Sequence, residues 1–337
     1  MLEGICIFVS LKETILDYLN HCFPASVSYS ELANQFSIDC QTVEQVIKEI
    51  VSDNMPVIVQ SQFVRLINPI LSRSAINSRL TTSFVGRATL LHQSIPSTND
   101  WIKHQVKDLK EGTLVLAHQQ YSGKGRLGRN WSSPAGKTVS MSLLLKPADQ
   151  LLDYSLLTQL AAAALVSALE IYCEAKIKWP NDIIVQNKKV AGILTEAEYS
   201  GSFLEGIIIG IGINTNLEET DFSEELKLKA GSLKVVRGTV DPNLIIARFA
   251  EKFEQLYTEW LTTHQSNHFL DSCRSHSALI GHTFWIIDTH SADQNHRKAL
   301  IQTINETGGL VVKYLDNSET EVLTSTHYSI RGEHGYL

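Results

Sequence analysis

The sequence predicts an α+β protein in three parts: an N-terminal winged helix-turn-helix, a central α+β domain on a mixed, mostly antiparallel sheet, and a C-terminal SH3-like β-barrel. Three observations lead there. The first fifty or so residues carry apolar side chains at helical spacing in three short runs. Between 89 and 263, strand-like stretches are mixed with two long helical ones. From 281 onward only short β-like runs and turn signals remain. With 337 residues and 43% hydrophobic composition, the chain exceeds one typical domain and can bury a substantial core. The expected boundaries are a winged helix-turn-helix over 1–68, a linker over 69–84, a central domain over 85–275 and a barrel over 276–337.

The first helix is expected over 12–20, with Ile15, Leu16 and Leu19 on one face. A second, over 30–36, has Ser28 or Ser30 as its cap. The third spans 41–51, where Val43, Val46, Ile47 and Ile50 form the buried stripe, and residues 57–59 and 63–67 then read as the wing hairpin. In a DNA-binding reading the third helix would offer Gln41, Thr42, Gln45 and Lys48 to the major groove. The charge points the other way: residues 1–70 carry three cations (Lys12, Lys48, Arg65) against eight acids. Phosphate contacts supply most DNA affinity, so weak DNA binding is expected, with a protein-binding or purely structural module as the alternative.

Residues 68–82 read as a linker with a short helix. Strands are expected at 89–92, 113–119 and 138–145, a helix over 154–173, strands at 176–178, 183–185, 190–198 and 206–213, and a helix over 242–263. In the tail, F-W-I-I, A-L-I-Q-T-I, L-V-V-K-Y and E-V-L-T are separated by turn signals such as Thr307-Gly308-Gly309 and Asp316-Asn317.

Several function classes drop out. Cys6, Cys22, Cys40, Cys173 and Cys273 are scattered and never C-x-x-C, which fits reduced thiols better than a disulfide framework or a zinc site. His264 and His268 are expected one turn apart on a solvated helix face, so no structural metal is anticipated. The N-terminal run M-L-E-G-I-C-I-F-V-S lacks a basic leader, and no apolar segment approaches the roughly 20 residues that span a bilayer. A cytoplasmic protein without membrane partners is expected.

The densest chemistry lies at 119–131, Q-Q-Y-S-G-K-G-R-L-G-R-N-W, where Gly123, Gly125 and Gly128 alternate with Lys124, Arg126 and Arg129 in a chain of net charge −7. A P-loop is excluded, because the position five before Gly136 is Trp131. Gly210-Ile211-Gly212 has Thr215 where a dinucleotide fingerprint needs its third glycine. What remains is either a non-P-loop anion site, with glycines allowing close backbone approach and cations neutralising a carboxylate and a polyphosphate, or a mobile basic surface loop. Lys178-Trp179-Pro180-Asn181-Asp182, followed by Lys189-Val190-Ala191-Gly192-Ile193-Leu194, reads as a hairpin that could hold a polar site on rigid backbone. Ser97-Thr98-Asn99 reads as a helix cap or as hydroxyls for a polar head group.

Together, S-T-N, Q-x-x-G-K-G-R-x-G-R-x-W, K-W-P-N-D, K-V-A-G-I-L-x-E and G-x-G-I-N, in that order, resemble the motifs of the biotin protein ligases. The layout is similar to their bifunctional ligase/repressor form, whose central domain has the fold of class II aminoacyl-tRNA synthetases. The resemblance implies an ATP- and Mg²⁺-dependent enzyme that makes biotinyl-5'-AMP and passes biotin to a lysine of the biotin carboxyl carrier protein of acetyl-CoA carboxylase. It also implies pairing of subunits through the central sheet. On the same ground Ser97, Thr98, Asn99 and Gln120 should bind the ureido ring, with Gly192 in the pocket wall. Lys124, Gly125 and Arg126 belong to a loop closing over biotin and adenylate. Arg129 should face phosphate, and Lys189 should contact the biotin carboxylate. Trp131, Asn214, Lys178, Asn181 and Arg331 fall on the nucleotide side. Lys189, Arg126 and Asp182 are the expected catalytic set, with Asp182 orienting or deprotonating the acceptor lysine. Lys124 replaces the family's usual arginine, which keeps the charge but loses bidentate geometry. The alternatives are a lipoate–protein ligase and a non-catalytic transcription factor that senses biotinyl-AMP.

Overall fold

The N-terminal helices begin where side-chain oxygens can take up their free backbone N–H groups. The structure, a computed structural model, describes residues 10–147, 152–289, 296–324, 328–332 and 336–337. Helix α1 (Leu11–Cys22) is capped by Ser10, which accepts from the Glu13 N–H. After the short strand β1 (Val27–Ser28), Ser28 caps α2 (Tyr29–Phe36) and Asp39 caps α3 (Cys40–Ser52). The expected apolar faces of α1 and α3 are buried, and they close over a sheet ordered β1-β3-β2, with β2 Val57–Gln60 and β3 Phe63–Leu66. Gln41, Gln45 and Lys48 face outward on α3 and Thr42 is half-buried. Lys48 is paired with Glu44 at 2.7 Å. Cys6, Glu3 and the rest of residues 1–9 lie outside the described residues. Helix α4 (Arg73–Asn77) is the short helix expected between 68 and 82.

The central sheet is built from β4 (Thr89–Ile95), β5 (Leu114–Lys124), β6 (Asn130–Ser133), β7 (Thr138–Leu145), β8 (Lys176–Lys178), β9 (Asp182–Val185), β10 (Lys188–Ser200) and β11 (Phe203–Asn214). Its order is β4-β5-β7-β11-β10-β9-β8, with β6 added onto β5. The β4–β5 pair is parallel and the other pairs are antiparallel, which is the mixed sheet expected from the sequence. Helix α5 (Thr98–Gln105) lies on one face; α6 (Leu157–Leu169), α9 (Pro242–Thr263) and α10 (Asn267–Ser275) lie on the other, and the short α7 (Glu224–Lys227) and α8 (Leu233–Arg237) precede α9.

Strand alternation divides those faces chemically. On β7, Val139, Met141, Leu143 and Leu145 point to the main core with Ile207, Ile209, Ile211 and Ile213 of β11. The alternate positions, Ser140, Ser142 and Leu144, and Ile208, Gly210 and Gly212, form the opposite face. Leu144 and Ile208 pack under Ile102 and Val106 around α5; the next alternate positions on β7 and β11 are the small or polar Ser142, Ser140, Gly210 and Gly212. Helix α6 is apolar nearly all round because sheet, α9 and α10 enclose it.

Some local expectations change. The helix expected over 154–173 ends at Leu169, after a 3₁₀ turn at Tyr154–Leu156. His264 and His268 do not share a helix: His264 ends α9 in a left-handed conformation (φ 58°), and His268 lies in α10, 2.7 Å from Glu259. Helix α10 escaped the sequence reading because its N-H-F-L-D-S-C-R-S has few strong helix formers; packing of Phe269, Leu270 and Cys273 into the core stabilises it.

The C-terminal strands β12 (Thr283–Asp288), β13 (His296–Ile304), β14 (Leu310–Tyr314), β15 (Thr320–Leu323) and β16 (Tyr328–Arg331) form an antiparallel sheet ordered β15-β14-β13-β12-β16. It is fastened to the central domain through its β13–β14 turn. The Gly308 carbonyl accepts from Gln159 Nε2 at 2.6 Å and from Trp179 Nε1 at 3.0 Å. Gly308 has φ +75°, and a Cβ there would stand 2.5 Å from Leu156 Cδ2, so glycine is required twice over.

Candidate active site

The polar face of the sheet forms the floor of an open cleft. Ser97 caps α5 by accepting from the Asp100 N–H, which places Thr98 and Asn99 in the first turn, buried against the sheet. Gln120 Oε1 accepts from the Thr98 N–H at 2.7 Å and lies 3.0 Å from the Thr98 hydroxyl. Ser142 Oγ lies 2.6 Å from Thr98 Oγ1 and 2.5 Å from Asn99 Oδ1. Asn99 sits so close to β11 that a Cβ on Gly210 would be 2.3 Å from its Oδ1. Trp131 uses Gly212 in the same way, since a Cβ there would come within 2.4 Å of the indole. The Trp131 Nε1 donor is buried with no hydrogen-bond partner, as an indole awaiting a ligand acceptor would be.

One wall carries the charge. Lys189 Nζ lies 2.6 Å from Asp182 Oδ1 and 5.5 Å from the Trp131 ring centroid. A side chain at Gly192 would meet Lys189 Nζ at 3.0 Å, so that glycine clears the path of the ammonium. Arg126 donates to Asn181 Oδ1 at 3.0 Å, and Asn181 Nδ2 donates to the Ile193 carbonyl at 3.0 Å. Burial lowers the pKa of the Arg126 guanidinium, with the Asp182 charge opposing the shift.

The expected flexible loop is the tip of a β-hairpin. Gly123 and Lys124 pair with Trp131 and Asn130 across β5 and β6, and the Gly125 N–H donates to the Arg129 carbonyl at 2.7 Å. The turn passes through Leu127 (φ 57°) and Gly128 (φ 70°), with Leu127 and Arg129 exposed. Lys124 is held 2.8 Å from Asp100 on α5.

The third part of the chain reaches this wall. Tyr336 donates its hydroxyl to Asp182 Oδ2, its carbonyl accepts from Lys178 Nζ at 2.5 Å, and its ring lies 3.7 Å from that ammonium. Lys178 is 4% exposed, and burial pulls its pKa down to about 7, with the Arg331, Lys189 and Arg129 charges adding and Asp182 opposing. The stability that neutral Lys178 contributes is full above its ordinary value of 10.5 and is lost as pH falls through about 7. The wild-type melting temperature should therefore rise relative to that of Lys178→Met between pH 7 and 9. Parallel curves in that window would remove the titration of Lys178 from the pH response.

Residues 91–214 match the biotin/lipoate A/B protein ligase family. All the residues lining the cleft, from Ser97 to Gly212, fall within that stretch. The bifunctional ligase/repressor BirA of Bacillus subtilis is 39% identical over 197 residues, which is 57% of this chain and 60% of that protein. The biotin–[acetyl-CoA-carboxylase] ligase of Paracoccus denitrificans is 39% identical over 122 residues, 35% of this chain and 50% of that protein. Thus the matched region spans between 50% and 60% of the length of these relatives. The biotin protein ligase of Aquifex aeolicus, solved with biotin and ATP, superposes with a TM-score of 0.63 at 25% identity, covering 73% of this chain and 99% of that one.

Within the matched stretch, the cleft brings together Ser97, Thr98, Asn99, Gln120, Lys124, Gly125, Arg126, Trp131, Asn181, Lys189 and Gly192. Asp182 and Lys178 stand behind Lys189. Asn214 is turned to the backbone, donating to the Gly231 carbonyl at 2.9 Å. Arg331 arrives from β16 and Arg129 from the exposed hairpin tip. Sequence reading missed Ser142, Asp100, Lys103, Glu196 and Tyr336. The alternation V-S-M-S-L-L-L could have revealed Ser142, and Glu196 occupies the last position of K-V-A-G-I-L-T-E. For Tyr336 the sequence has no local signal.

Proposed function

We propose that this chain is a biotin–protein ligase. It couples biotin and ATP to form biotinyl-5'-AMP and pyrophosphate, then transfers biotin to a lysine of the biotin carboxyl carrier protein of acetyl-CoA carboxylase. The observation that carries the reading is the convergence of Lys189 and Arg126 on one wall of a cleft whose floor is made of uncharged hydrogen-bonding groups. In the first step a biotin carboxylate oxygen bonds to the α-phosphorus and pyrophosphate leaves. Two anions must meet, and Lys189, Arg126, Lys124 and Arg129 lower their repulsion where charge develops. Trp131 and Asn214, with Lys178, Asn181 and Arg331, take the nucleotide side; Ser97, Thr98, Asn99 and Gln120 take the ureido ring, beside Gly125 and Gly192. Among the described residues no group of three or more His, Cys, Asp or Glu side chains could hold a metal. Mg²⁺ brought in with ATP would supply further charge neutralisation at the phosphates.

In the second step the acceptor amine attacks the acyl carbon and AMP leaves with the bonding pair. Asp182 receives or orients the amine proton, which requires Tyr336 to yield one carboxylate oxygen. A closed hairpin tip keeps water from the anhydride. The acidic N-terminal module fits a winged helix-turn-helix and the C-terminal sheet an SH3-like barrel, giving the four-segment division at 68, 84 and 275. Subunit pairing through the central sheet and a cytoplasmic location complete the reading; among the described residues no helix is long and apolar enough to cross a membrane.

Biotin-dependent ATP–pyrophosphate exchange by the purified chain tests the proposal, and its absence would sink the ligase reading. For the N-terminal module, a biotin-dependent gel shift on DNA upstream of biotin-synthesis genes should be weak or absent, because Lys48 is the single cation among Gln41, Thr42, Gln45 and Lys48 and is already paired with Glu44. A tight, salt-sensitive shift contradicts this.

A further inference from the structure

Asn99 is 4% exposed at the cleft floor, and both ends of its amide are committed. Its Nδ2 donates to Glu196 Oε2 at 2.6 Å, and its Oδ1 takes the Ser142 hydroxyl. The other oxygen of Glu196 accepts from Lys103 Nζ at 2.6 Å. Lys103 lies on α5 one turn beyond Asn99, and Glu196 is on β10 at the same strand face as Gly192 and Leu194. None of these contacts belongs to the charged wall around Lys189.

A carboxylate accepts and does not donate, so Glu196 can meet only the NH₂ end of the Asn99 amide. We infer that the Lys103–Glu196 pair is a positioning device that fixes the Asn99 amide with its oxygen toward the cleft, and so sets the selectivity of the proposed ligase for a head group that donates N–H. The inference rests on the proposed function and adds residues to the same site. Ser142 uses one lone pair of the Asn99 oxygen, and the second remains for a ligand donor. Nearby, the Gln120 oxygen is taken by Thr98, while Gln120 Nε2 has only a 3.4 Å contact with Ser133 and is free to donate. A fixed acceptor and an available donor on one floor complement the adjacent N–H and C=O of a urea. A dithiolane offers neither, so the same pair disfavours lipoate.

Glu196→Gln keeps the shape but lets its amide either accept or donate, so Asn99 can turn over. In biotin-dependent exchange the KM for biotin should rise about tenfold, with kcat within about twofold and the KM for ATP unchanged. The discrimination between biotin and its two mono-N-methyl ureido analogues should shrink by about tenfold, a readout that general loosening of the fold does not move selectively. Lys103→Gln, which frees the carboxylate to swing, should shift both quantities in the same direction by a smaller factor. Wild-type exchange with unchanged KM and discrimination in both variants overturns the inference alone. Parallel loss of kcat and melting temperature without a change in discrimination also overturns it, as a purely structural role. No exchange by the wild-type chain overturns the proposed activity and this inference with it.

Discussion

Lys189→Ala is expected to lower biotin-dependent pyrophosphate exchange by about 10²–10³-fold, the loss typical when one preorganised charge is removed from a transition state. The side chain stands between Asp182 and the face of Trp131, with Gly192 leaving it room, so its charge is held at one point of the cleft wall. Folding should suffer far less. Lys189 is partly solvated, at 24% side-chain exposure, and Asp182 keeps the Tyr336 hydroxyl as a donor. Near-normal turnover in the alanine variant would take Lys189 out of the reaction; collapse of the fold would make it structural.

Gly210→Ala is expected to cost about 100-fold in the same exchange, mostly through the KM for biotin. The added Cβ would stand 2.3 Å from Asn99 Oδ1 and 2.9 Å from its Cγ and Nδ2. Asn99 cannot swing aside without giving up Ser142 and Glu196, and displacement of a binding group by about 1 Å can cost that much. Overpacking of this size also destabilises by about 1–3 kcal/mol. A double-mutant cycle separates the effects: if the clash with Asn99 is the cause, Gly210→Ala should have little further effect on KM in an Asn99→Ala background. Full additivity contradicts the account.

The parts of this fold that could be read in advance are those where one period governs. The stripes of α1 and α3, the helix Pro242–Thr263 and the strand Thr138–Leu145 follow from local spacing and caps. Helix α10 and strand β6 do not, because tertiary packing in one case and pairing across a glycine-rich turn in the other override weak local preference. At the cleft, order along the chain pointed to Ser97, Gln120, Arg126 and Lys189. It could not expose the partners that hold them. Glu196 meets Asn99 across 97 positions of sequence and Tyr336 meets Asp182 across 154, and such pairs exist only after the sheet and the C-terminal strands have assembled. The glycines of G-I-G-I-N likewise acquired a reason only when Asn99 and Trp131 were seen resting on them.

The Gly308 carbonyl has a consequence for dissecting this chain. It is the partner of both the Gln159 amide on α6 and the Trp179 indole inside K-W-P-N-D. Cutting the chain before the C-terminal strands would leave two buried donors unmatched, at about 1–3 kcal/mol each, and one of them anchors the segment that carries Asn181 and Asp182. A shortened chain would thus lose more than an appended module. Shuffling this central domain onto a different tail, in the laboratory or in evolution, requires a replacement carbonyl at that one point.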